Sequence, residues 1–116
     1  MTETTGYTIN VISALKVIDI SVKGSFTPEI AQAFQTEYQK KVGSISANDF
    51  TLKVDSTDMN IITQEMLPKL EHSFNMYKNS GFKQIQFVIK PSSTIKMQVN
   101  RLARNTGLTN AIVVEL

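Results

Sequence analysis

The chain has 116 residues, 41% of them hydrophobic and 19% charged, with no cysteine and a formal net charge of +2. That length makes one domain, residues 1–116, around a single core, and the missing cysteines exclude disulfides, thiolate metal sites and cysteine nucleophiles. The basic excess is far below the footprint of nucleic-acid binding and no apolar run is long enough to cross a bilayer, so neither nucleic acid nor membrane insertion is expected.

The opening MTETTGY is polar, with neither a basic leader nor an apolar stretch. No secretory signal is expected, the chain is expected to be cytoplasmic, and residues 1–6 are expected to be flexible. Residues 7–13 and 15–22 are rich in β-branched apolar residues and read as two strands joined by a tight turn at Ala14. Gly24 closes the second strand. Thr27 followed by Pro28 and Glu29 reads as a helix cap with proline at the first helical position. From there to residue 42, Ile30, Ala33, Phe34, Tyr38 and Val42 recur at three- and four-residue spacing and form one apolar face.

Residues 50–54 alternate as a third strand and run into DSTDMNIITQEM, residues 55–66, which reads as a strand end running into a helix start with a polar loop between. Met66, Leu67, Leu70, Phe74 and Tyr77 mark a second amphipathic helix, with Pro68 in its first turns and Gly81 at its end. Residues 82–89 form the fourth strand, residues 92–106 a third helix with Ile95, Val99, Leu102 and Ala103 on one face, and residues 111–115 the last strand. The order ββαβαβαβ predicts an α/β fold with a single mixed β-sheet, parallel except for the opening hairpin, covered by helices. Phe34, Phe74, Val88 and Leu102 are expected in its core.

Catalytic apparatus is absent from the pattern. His72, the single histidine, lies about 200° around its helix from Leu70 at ~100° per residue, and so points to solvent. Asp55, Asp58 and Glu65 do not match the spacing of a calcium loop, and no glycine-rich phosphate loop is present, so no metal, cofactor or enzymatic activity is expected. Lys96, Asn100 and Arg104 fall in one row on the third helix, either a solvated face or a surface for an acidic partner. Met59, Met66, Met76 and Met97 are expected to fill the core.

Three segments resemble the STAS domain, the family of the bacterial anti-sigma-factor antagonists. VKGSFTPEIAQAF resembles that family's strand, glycine and first helix; LKVDSTDMNIITQEM its strand with aspartate, short loop and second helix; and GFKQIQFVIKPSSTIKMQVNRLARNTGL its closing strand, turn, helix and glycine-leucine pair, here Gly107 and Leu108. The resemblance implies a non-catalytic module for bacterial signalling or scaffolding. It would bind a protein partner, such as an anti-sigma kinase or related regulator, through the loop at 56–65 and the second helix. Asp58, Met59, Asn60, Ile61, Thr63, Gln64 and Glu65 are the implied contact residues, with Ile61 exposed and Ile62 turned inward. Other members implied by the same resemblance bind lipids or nucleotides, or accompany lipid-transport complexes, and self-association is left open.

One departure bears on regulation. Switch members carry Asp-Ser-Ser-Gly or Asp-Ser-Thr-Gly at the start of the second helix, where a kinase phosphorylates a hydroxyl. With Asp55 aligned to the family's strand-ending aspartate, that tetrad falls on Thr63, Gln64, Glu65 and Met66. Thr63 is the one remaining hydroxyl for phosphorylation, and a helix cap is its structural alternative. Glu65 stands at the switch serine's place, either as a permanent negative charge or as an ordinary first-turn acid suited to the helix dipole.

Overall fold

The computed structural model describes residues 6–24, 28–59, 64 and 67–115. These form β1 (Gly6–Ile12), β2 (Val17–Gly24), α1 (Pro28–Val42), a 3-10 turn (Ala47–Asp49), β3 (Thr51–Met59), α2 (Leu67–Ser80), β4 (Gln84–Ile89), α3 (Ser93–Thr106) and β5 (Ala111–Glu115). The strands make one mixed sheet in the order β1-β2-β3-β4-β5, the first pair antiparallel and the rest parallel.

Sequential order has a geometrical consequence. Each parallel connection steps one strand in the same direction, and right-handed crossovers taken that way lay every helix on the same side. The burial agrees: Ile9, Ile18, Ile20, Leu52, Val54, Ile85 and Phe87 are buried on one face with Phe34 and Tyr38 of α1, Phe74 and Tyr77 of α2, and Val99 and Leu102 of α3. The alternate residues, among them Asn10, Asp19, Lys53 and Gln86, form one cross-strand row on the opposite face. Across the covered face runs a chain of rings. Tyr7 meets Phe34 edge-on at 5.5 Å, Tyr38 lies 5.6 Å from Tyr77, and Phe74 stacks on Phe87 at 4.7 Å.

Local chemistry sets most boundaries where the sequence places them. Ser92 accepts a hydrogen bond from the Ile95 N–H at 3.2 Å and caps α3, while Gly107, at φ 74°, ends it in the left-handed conformation that glycine adopts without a Cβ clash. Gly81, at φ 77°, follows α2 in the same way. Glu29 lies in the first turn of α1 and Lys40 and Lys41 in its last, each matching the helix dipole. Phe34, Phe74, Val88 and Leu102 are buried as expected.

Several expectations are corrected. β2 begins at Val17 rather than residue 15, because Lys16 has φ 56° and belongs to the hairpin turn, closed by bonds from the Leu15 and Lys16 N–H groups to the Ile12 and Ser13 carbonyls. The buried alanine of α1 is Ala31, not Ala33: with Phe34 and Tyr38 it makes the i, i+3, i+7 stripe that faces the sheet. β4 begins at Gln84, so Phe82 is buried ahead of it. β1 includes Gly6, paired with Lys23, while residues 1–5 of the amino-terminal stretch lie outside the described residues. Met97 does not fill the core, being 58% exposed on α3, whereas Met76 packs against it. Met66 lies outside the described residues, as does the side chain of Met59.

Candidate functional site

The stretch expected to begin a loop at residue 56 is strand as far as Met59. Ser21 pairs with Asp55 and Lys23 with Asp58, so two steps along β2 answer to three along β3, which is a β-bulge at Ser56–Thr57. The Asp55 carboxylate holds it: its Oδ1 accepts from the Thr57 N–H at 3.0 Å and from the Thr57 hydroxyl at 2.7 Å. Aspartate commonly bonds the backbone two residues on, which is the chemistry used here within a strand rather than a loop. The bulge lies at the carboxyl end of β3, the end of a parallel sheet at which α/β folds place their binding regions.

Of the implied contact residues, Asp58 and Met59 close β3, their backbones paired with Lys23 and Gly24. Asn60, Ile61, Ile62, Thr63 and Glu65 lie outside the described residues. Gln64 is exposed, and its carbonyl accepts from the Leu67 N–H at the start of α2. It lines a groove of about 250 Å³ between α2 and α3 with Leu67, Glu71, Gln98, Arg101 and Asn105. Leu67 and Leu102 give the groove an apolar part; its other lining residues carry carboxamides and charges. His72 is exposed on α2, as expected. The basic row divides: Lys96 pairs with Glu115 at 3.1 Å, while Asn100 and Arg104 line a separate crevice beside β5. Among the described residues no group of three or more His, Asp or Glu side chains is placed to hold a metal ion.

Beneath the bulge is a feature that sequence reasoning missed. A cavity of about 30 Å³ lies between the sheet and all three helices, walled by Phe34, Val54, Leu70, Phe87 and Leu102, with Ser56 and Ser73 also lining it. Ser73 is 2% exposed and its Oγ has no hydrogen-bond partner among the described residues. Its spacing was the available signal, since Leu70, Ser73, Phe74 and Tyr77 follow the i, i+3, i+4, i+7 pattern of a core stripe. Near the same layer, burial raises the Tyr38 hydroxyl to about 12, an effect its hydrogen bond with Ser80 at 2.7 Å opposes. Burial raises Tyr77 further.

The chain matches no protein-family model and no curated protein. A solved structure does match it: an uncharacterised protein of the DUF3478 family with a SpoIIAA-like fold, from Shewanella loihica PV-4. The TM-score is 0.70, over 100% of this chain and 90% of that one, at 9% identity. The fold is SpoIIAA-like. SpoIIAA is the anti-sigma-factor antagonist with the STAS fold, so the resemblance read from the sequence is borne out in the architecture. At that identity the SpoIIAA-like likeness carries the fold alone. No helix among the described residues is long and apolar enough to cross a membrane.

Proposed function

We propose that this chain is a non-catalytic protein-interaction module that docks through the carboxyl end of β3 and the start of α2. The observation that supports it most is the bulged strand end, fixed by Asp55 and Thr57, beside a groove whose described lining presents Gln64, Glu71, Arg101 and Asn105 around Leu67. Side chains of that kind match peptide groups and opposite charges on another protein's surface. The partner is a signalling protein of the anti-sigma kinase kind, in the bacterial cytoplasm, with Asp58, Met59, Asn60, Ile61 and Thr63 in contact with it. Glu65 makes the chain a fixed-state relative, not switched by a kinase.

A photo-crosslinking residue at position 64 tests this in cells, with one at position 10, on the face away from the helices, as control. Protein adducts are expected at 64 and not at 10, and Glu71→Lys with Arg101→Glu is expected to remove them at unchanged thermal stability. Equal labelling at both positions would sink the reading. A second reading, a carrier of a small ligand such as a lipid or nucleotide, would place that ligand in the apolar interior, where the cavity of about 30 Å³ is water-sized and would have to open to admit it. Native mass spectrometry of the purified chain separates the two, because only a carrier retains a bound small molecule.

A further inference from the structure

The sheet ends in two unlike edges. At β1 the Lys41 ammonium donates to the Ile9 carbonyl at 2.7 Å, and Glu37 holds it there at 2.8 Å while accepting the Tyr7 hydroxyl at 2.9 Å. A cation seated on an edge carbonyl keeps other strands from pairing. β5 has no such guard. The Asn110 carbonyl accepts from the Ile85 N–H at 3.0 Å, and strand groups alternate, so residues 110, 112 and 114 address β4 while Ala111, Val113 and Glu115 turn their N–H and C=O to the free edge. Among the described residues no side chain is bonded to those outward groups.

We propose that this edge is a dimerisation surface, on which a second copy of the chain adds its own β5 antiparallel about a two-fold axis at Val113. That register sets Val113 opposite itself and Ala111 opposite Glu115, and these are the residues whose outward groups can exchange hydrogen bonds. On the face away from the helices it sets Ile112 opposite Val114, covering Ile112, which is 45% exposed and continues the pair Val88–Val114. The charges fit the same register. α3 runs beside β5, with Lys96 at Glu115 and, at the other end, Asn100 and Arg104 sharing with Ala111 a crevice of about 380 Å³. Glu115 of the second copy falls opposite Ala111 and therefore beside Arg104. Each Glu115 then lies between its own Lys96 and the other copy's Arg104, which brings an acid to the Arg104 end of the basic row on α3. The interface is self-complementary, as a two-fold contact requires.

Sedimentation equilibrium of the full chain, from micromolar to millimolar concentration, reads the outcome directly, and a monomer–dimer equilibrium is expected. Val113→Pro removes an outward N–H without touching the ladder to β4 and is expected to be monomeric throughout. Arg104→Glu, on an exposed side chain, is expected to weaken the dimer by about threefold or more, and adding Glu115→Lys together with Lys96→Glu, which keeps opposite charges at both contacts of residue 115, to recover it. Should the proline variant fail to fold by circular dichroism, the charge reversals decide alone. A wild-type chain that stays monomeric, or a dimer whose affinity Arg104→Glu leaves unchanged, overturns the proposal.

Discussion

Ser73 shows how much one hydroxyl can weigh in a core of this size. Burying a hydroxyl without a partner costs about 1–3 kcal/mol, and alanine is the better helix former by about 0.5 kcal/mol. Removing the oxygen enlarges the 30 Å³ cavity only slightly, at a penalty of a few tenths of a kcal/mol by the usual volume scaling. Ser73→Ala is therefore expected to stabilise the chain by about 1 kcal/mol in urea denaturation, with an unchanged m-value. A loss of stability would mean that the hydroxyl has a partner in solution. Asp55 shows the opposite case: its carboxylate is committed to Thr57, so the aspartate that anchors the family resemblance is a structural clamp on the bulge.

Among the elements, α2 joins the core to the proposed docking end. Its inner stripe buries Leu70, Phe74 and Tyr77, and Phe74 lies nearly parallel on Phe87, at 12° between planes. Phe74→Ala should cost about 3–5 kcal/mol, the range for truncating a buried aromatic residue. A loss below about 1 kcal/mol in denaturant melts would show that α2 does not pack on β4 as described. β3 taught a different lesson about length. Alternation over residues 50–54 locates the strand, but its continuation to Met59 depends on pairing with β2 across the bulge, and no local periodicity encodes a pairing.

For the whole molecule, the buried tyrosines link stability to alkaline pH. Burial raises the Tyr38 hydroxyl from 10.0 to about 12 and raises Tyr77 as well, so the native state favours their neutral forms. A group whose pKa is raised on folding contributes fully below its unfolded value and loses that contribution as pH climbs through the folded one. Stability should accordingly fall between about pH 10 and pH 12, measured as the urea midpoint. Tyr38→Phe keeps the ring among Phe34 and Tyr77 but removes one ionisation, and its decline over that interval should be shallower. Parallel declines in the two proteins would show that Tyr38 does not ionise from a buried state.

The sequence by itself determined the element order, the class of sheet, the glycine stops at Gly81 and Gly107, and the apolar stripes that became the core. These depend on periodicity and on the φ that glycine permits, both of which are local. The strand order was decided by the tertiary structure alone, and with it the gathering of every helix on one face. So were the bulge that carries the strand on through residues 56–59, where a loop was expected, the Ser56–Ser73 cavity, and the contrast between a guarded β1 and an open β5. Each of these needs groups far apart in the chain, Lys41 on Ile9 or Asn110 on Ile85, and such pairings are selected by packing the whole sheet rather than by any window of residues.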